Sequence, residues 1–107
     1  MSADESVISL PMDDVDRLVH EPARMRIVAL LYVLESADYT FVMRQTGLTW
    51  GNLSTHLTKL EEAGYVAIEK GFQGKKPHTM VRLTREGRAA FRRYKKNMQQ
   101  VLDELPG

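Results

Sequence analysis

The chain has 107 residues, 43% of them hydrophobic and 27% charged, which is the composition of one ordinary globular domain. It has no cysteine, so disulfides and thiolate metal sites are excluded, and no window approaches the ~20 apolar residues of a membrane span. The net charge of +1 conceals a division: residues 1–38 carry three bases against eight acids, whereas residues 70–96 carry ten bases and one acid, Glu86.

The N-terminal "MSADESVISL" has acids where a secretory signal needs bases, so the expectation is a cytoplasmic protein with a polar tail over residues 1–11. "MDDVDRLVH", residues 12–20, reads as a short helix with Val15, Leu18 and Val19 on one side and Asp13 and Asp14 at the positive end of its dipole. Pro22 opens a second helix, since its missing N–H costs nothing in the first turn. There Ile27, Leu30, Leu31 and Leu34 keep the i, i+3, i+4, i+7 stripe, and Met25, Val28, Tyr32 and Val33 widen it. A helix apolar over so much of its circumference is a core helix, or one that also meets a second subunit.

"ADYTFVMRQTGLT" predicts a third, short helix capped by Asp38 or Thr40 and ended by Gly47. Only Leu48 and Thr49 separate that glycine from the next helix, which is the spacing of a helix-turn-helix. In the fourth helix, capped by Thr49, Leu57 and Leu60 fall within about 40° of Leu53 on a helical wheel. Gly51, Asn52, Thr55, Thr58, Lys59 and Glu62 fall on the far side, with Ser54 at its margin. Such residues are mediocre helix formers, each several tenths of a kcal/mol worse than Ala. A merely solvated face would more often use Glu, Lys and Arg. Short donors and acceptors suit a helix that must approach another surface closely.

Gly64 ends that helix, and "YVAIEKG" (65–71) and "TMVRLT" (79–84) alternate as two strands, with Val66, Ile68, Val81 and Leu83 facing inward. The intervening "GFQGKKPH" reads as a cationic hairpin loop too long for a two-residue turn. Thr84 then caps a long last helix. The expected fold is α+β, mostly α: a winged helix-turn-helix over residues 12–84 with a two-stranded wing, followed by a long C-terminal dimerisation helix over 85–107.

These residues also carry a family resemblance. "GLTWGNLSTHLTKLEEAGYVAIEKGF" resembles the recognition helix and first wing strand of the MarR/ArsR-like prokaryotic transcriptional regulators. "RLTREGRAAF" is similar to their second wing strand running into the last helix, and "HEPARMRIVALL" to their first core helix; the match covers roughly residues 18–95. The resemblance implies a dimeric regulator that binds double-stranded DNA through a recognition helix over 50–62 and a wing over 71–78. Carried over position by position, the reading face is Trp50, Gly51, Asn52, Ser54, Thr55, Thr58 and Lys59, with Lys75 and Lys76 at the wing tip. The chain lacks the Asp-x-Arg wing of the larger MarR proteins and the cysteine metal motif of the metal-sensing ArsR proteins.

Lys59, Lys70, Lys75, Lys76 and Arg44 are candidates for phosphate or minor-groove contacts, and Asn52, Ser54, Thr55 and Thr58 for base edges or phosphates. Without an arginine on the reading face, part of any specificity would come from DNA shape. Trp50 either packs or touches phosphate and sugar. His56 lies near the leucine stripe and suits a hydrogen-bonding role at the core edge. No residues form a nucleophile–base pair or a nucleotide loop, and His20, His56 and His78 stand on different elements, so no enzyme activity, cofactor or metal site is expected.

In the last helix Phe91, Tyr94, Met98, Val101 and Leu105 step by three and four residues, with Leu102 beside them. That is the spacing of a helix–helix seam, read either as packing against the body or as an antiparallel homodimer interface joined by the first helices. A small-molecule effector would have to bind between helices at that interface. The alternative function is a winged-helix protein-interaction or assembly module, which exposed apolar residues on the fourth helix or wing would favour; none is expected there.

Overall fold

The computed structural model describes residues 16–107. Its elements run α1 (Pro22–Leu34), β1 (Ser36–Asp38), α2 (Tyr39–Thr46), α3 (Trp50–Glu62), β2 (Val66–Gln73), β3 (Lys76–Leu83) and α4 (Arg85–Asp103). Each boundary has a local cause. Glu21 caps α1 by accepting the Arg24 N–H at 2.9 Å, and Pro22 takes the first helical position. Asp38 caps α2 through the Phe41 N–H at 3.1 Å, and Gly47 closes it at φ +74°, in the left-handed region. Thr49 caps α3 through the Asn52 N–H at 3.2 Å.

The helix expected over 12–20 is corrected in its described part. Residues 12–15 lie outside the described residues, and 16–20 form a turn. Asp16 organises it, one carboxylate oxygen accepting the Leu18 and Val19 N–H groups at 2.9 and 3.2 Å and the other accepting the Tyr65 hydroxyl at 2.6 Å. Asp is a turn former for this reason: its side chain competes for nearby backbone N–H groups.

The sheet has three antiparallel strands in the order β1-β3-β2, one more than the expected wing. The added strand β1 pairs Ala37 with Val81, and Glu35, at φ +69°, turns the chain into it. The Glu35 carbonyl then accepts the Leu83 N–H at 2.9 Å.

The wing turn is a second correction. Gln73 pairs with Lys76, so only Gly74 and Lys75 form the loop. Gly74 has φ +64° and Lys75 has no positive φ, the pattern of a type II′ turn, whose twist matches that of the strands. Pro77 misleads at the sequence level because proline is depleted in strands. Here the closing pair of the turn takes the ladder hydrogen bonds, so Pro77, opposite Phe72, has its missing N–H directed away from β2. β1 pairs only with residues 80–82 of β3, so no strand on that side needs the donor.

The core lies between α1, α3, the sheet and the first half of α4. Leu53, Leu57 and Leu60 of α3 are fully buried against Ile27 and Leu31 of α1 and Val81 of β3. Each such leucine contributes about 2 kcal/mol relative to an exposed one. Among the described residues, no helix is long and apolar enough to cross a membrane.

α4 is seated by the "LTREG" segment. The Thr84 hydroxyl lies 2.6 Å from the Gly64 carbonyl and 3.0 Å from that of Tyr65, and it accepts the Gly87 N–H at 2.9 Å. A Cβ on Gly87 would run into the Tyr65 carbonyl oxygen. Gly87→Ala should therefore destabilise the fold by about 2–3 kcal/mol, because the obstacle is backbone that cannot rotate away. A Gly87→Ala protein with an unchanged urea midpoint would contradict this reading of the junction.

Candidate nucleic-acid interface

The leucine stripe decides how α3 is presented. With Leu53, Leu57 and Leu60 inward, Trp50, Gly51, Asn52, Ser54, Thr55, Thr58 and Lys59 are all exposed. The expected reading face is thus one continuous solvent-facing side. The Thr55 and Thr58 hydroxyls donate to the Gly51 and Ser54 carbonyls at 3.0 and 2.9 Å, which holds their rotamers while leaving acceptor lone pairs outward.

Trp50 packs without being buried. Its ring lies 4.4 Å from that of Tyr39, yet it remains 62% exposed. The Tyr39 hydroxyl donates to the Trp50 carbonyl at 3.1 Å, and burial pushes its pKa up, keeping it a neutral donor. Tyr39, at the start of α2, thereby fixes the first turn of α3. Sequence reasoning leaves Tyr39 out because nothing local links it to a residue eleven positions later.

Between α3 and the wing is an open cleft of about 530 Å³, lined in part by Trp50, Ser54, Thr58, Glu61, Lys70 and Thr79. It brings Lys70 to the same side of the molecule as the exposed part of α3. Lys75 and Lys76 stand at the wing tip, exposed like Lys70. Lys59, Lys70, Lys75 and Lys76 take part in none of the ion pairs among the described residues. Arg44 is exposed on the last turn of α2.

A second brace holds the wing to the helix-turn-helix. His78 Nε2 lies 2.8 Å from Asp38 Oδ2, on the carboxylate whose other oxygen caps α2. The Phe41 N–H, followed by His78, holds the Asp38 carboxyl below its usual range against the opposing effect of burial. The other histidines are also engaged: His20 lies 2.8 Å from the Tyr94 hydroxyl, and His56 lies 3.2 Å from Arg24 and 3.7 Å from Glu21. His56 thus takes the expected hydrogen-bonding role at the core edge. Among the described residues, no three His, Asp or Glu side chains converge to hold a metal ion.

One expectation is overturned: apolar side chains are exposed on both α3 and the wing. Trp50 is one, and Phe72, 76% exposed on β2, is the other. Alternation was the available signal for Phe72. It shares parity with Val66 and Ile68 but lies beyond the point where the sheet leaves the body.

The six seam residues fall into two environments along α4 and the segment after it. Phe91 and Tyr94 are buried in the chain's own core, the Phe91 ring 5.1 Å from Tyr32, with Met98 half-buried against that core. Val101 is buried, whereas Leu102 and Leu105 are 58% and 50% exposed.

A helix-turn-helix whose second helix is followed by a hairpin wing defines the winged-helix class of DNA-binding proteins. The winged helix DNA-binding domain family model matches residues 23–102, and the chain belongs to that family. An uncharacterized protein of Methanocaldococcus jannaschii is 37% identical over 78 residues, covering 73% of this chain and 85% of that protein. A transcriptional regulator homologue from Pyrococcus horikoshii superposes with a TM-score of 0.78 at 27% identity, covering 82% of this chain and 87% of that one. A MarR-family regulator from Silicibacter pomeroyi shares the fold, with a TM-score of 0.65 at 22% identity over 87% of this chain and 62% of that one. The chain is a winged-helix protein of the DNA-binding type.

The Asp38–His78 brace has a pH signature. A carboxyl with a lowered folded-state pKa contributes stability that is present above its unfolded value, about pH 4, and lost as pH falls through the folded value. Asp38→Asn keeps a capping oxygen but removes the charge, so it should melt below wild type at pH 7, with the gap closing as pH falls below the usual carboxylate range and through the folded value. Equal melting temperatures at pH 7 would show that the brace is not electrostatic.

Proposed function

We propose that the protein is a transcriptional regulator that reads duplex DNA as a homodimer, with α3 in the major groove and the wing over the adjacent minor groove. The observation that carries this reading is the outward side of α3, exposed throughout and made of Gly51, Asn52, Ser54, Thr55, Thr58 and Lys59. Short side chains let the helix backbone approach a groove floor, and Asn52 can pair with adenine while Ser and Thr hydroxyls serve several bases. Lys59, Lys70, Lys75 and Lys76 supply the phosphate attraction on which affinity depends. The N-terminus of α3, with Trp50 beside it, adds the positive end of a helix dipole.

Pairing is the second part of the proposal. Leu102 and Leu105 on the C-terminal segment and Val33, 78% exposed on α1, are apolar side chains left outside the core. A two-fold dimer would cover such residues and present two α3 helices to half-sites about 34 Å apart.

The alternative, a protein-interaction module, draws support from the exposed Trp50 and Phe72. Salt dependence separates the two readings. A dimer neutralising about 6–10 phosphates should lose roughly 10³–10⁵ in DNA affinity between 50 and 200 mM salt. Thr55→Glu with Lys59→Glu should abolish that binding while leaving the melting temperature within a few degrees, since both residues are exposed. A salt-insensitive affinity, or full affinity in the double variant, would reject the assignment.

Leu102→Asp with Leu105→Asp should convert a sedimenting dimer to a folded monomer, because neither side chain belongs to the core. A wild-type protein that sediments as a monomer at micromolar concentration would remove the dimer from the proposal.

A further inference from the structure

Phe72 contributes little to the fold and stands at an unusual place. It lies two residues before the II′ turn, opposite Pro77 and on the same face of the wing as Ile68 and Lys70. That face looks toward α3, because Ile68, Lys70 and Thr79 line the cleft they share with Trp50, Ser54 and Thr58. The ring therefore sits at the outer end of a surface whose inner end is the exposed side of α3, and Pro77 is the apolar side chain paired with it across the strands.

Charge selects the occupant. No acid occurs between residues 70 and 85; Lys70 shares the ring's face of the wing, and Lys75 and Lys76 stand at the adjoining tip, Lys76 opposite Gln73 on the other face. The carboxylate of Glu69 is directed elsewhere, to Arg82 at 2.9 Å on the opposite face of the sheet. An aromatic ring on a hairpin whose lysines join none of the ion pairs among the described residues is poorly suited to the apolar centre of a protein interface, where lysine is depleted. It is well suited to a polyanion with an apolar interior. Duplex DNA has that structure, with phosphates outside and stacked bases and sugars inside.

Width then restricts the mode of contact. Two paired strands are about 4.8 Å apart before side chains are added, so the ribbon cannot enter a minor groove about 6 Å wide. Only side chains at its rim can enter, and Phe72 is the large apolar one at that rim. We infer that Phe72 is an apolar wedge, pressed by the wing into the minor groove against a base step, which bends the duplex away from the wing while Lys75 and Lys76 hold the flanking phosphates. The inference rests on the DNA-binding reading and extends it. Wedged steps are partly unstacked, so flexible pyrimidine–purine steps would be favoured beneath the wing.

The test uses full-length protein and a duplex selected by the wild type from a random pool, carrying donor and acceptor dyes at its two ends. Wild type should raise energy transfer on binding. Phe72→Ala should bind about tenfold more weakly with an unchanged salt slope and leave the duplex straight. Phe72→Leu should keep part of the bend. Lys75→Ala with Lys76→Ala should lower the salt slope by about one per lysine removed. Phe72→Ala should melt with the wild type, since the ring is exposed. Wild-type affinity and bending in Phe72→Ala would overturn the wedge and leave the DNA reading standing. Loss of the wild-type dimer in Phe72→Ala would overturn it in favour of a protein contact. Failure of the wild type to bind any duplex would bring down both.

Discussion

The contact that most of the architecture depends on is the one between the start of α4 and the carbonyl of Tyr65. Gly87 has no Cβ, so the helix can lie directly on the backbone that leaves α3, and Thr84 fastens the approach through the Gly64 and Tyr65 carbonyls. Three elements meet at this point: α3 ends at Glu62, β3 ends at Leu83, and α4 begins at Arg85. Gly64 serves the same junction from the other side, since its φ of +81° lets α3 stop and hand over to β2 across only three residues. The "LTREG" segment is thus a packing device rather than a binding motif.

Given that anchorage, the interior is spent on holding α3 rather than on making a site of its own. Three leucines point inward, Tyr39 holds the first turn, and the Arg24–His56–Glu21 cluster flanks the middle of the helix. What remains outward is a row of side chains with low helix propensity. Their cost is tolerable because α3 is stabilised by burial and capping and depends little on propensity. The polar side can then be chosen for what it meets.

Local chemistry was legible in the sequence, and long-range pairing was not. Asp38, Thr49, Thr84, Gly47 and Gly64 act where they were expected, because a cap or a left-handed terminator works within four residues of itself. The leucine stripe was readable for the same reason. Strand β1 was not, since three residues with no alternation become a strand only by pairing with residues 80–82, more than forty positions away. The turn at Gly74–Lys75 was obscured by Pro77, whose tolerance depends on an unpaired strand edge. Of the candidate site, the exposed side of α3 and the lysines followed from periodicity and charge. Phe72 did not, because whether an apolar residue on a strand is buried depends on where the sheet leaves the core. In α4 a single three–four spacing serves two environments, since Phe91 and Tyr94 fill the domain's own core while Leu102 and Leu105 remain outside it.

Only one residue, Thr84, lies between the last strand of the wing and the first turn of α4. With its hydroxyl and its N–H both tied to the Gly64–Tyr65 backbone, it has little freedom to act as a hinge. Strand and helix consequently form a bent lever with its fulcrum at the end of α3. A tilt of α4 about that point would be passed on to the hairpin, so in the proposed homodimer the separation of the two wings would follow the tilt of their last helices.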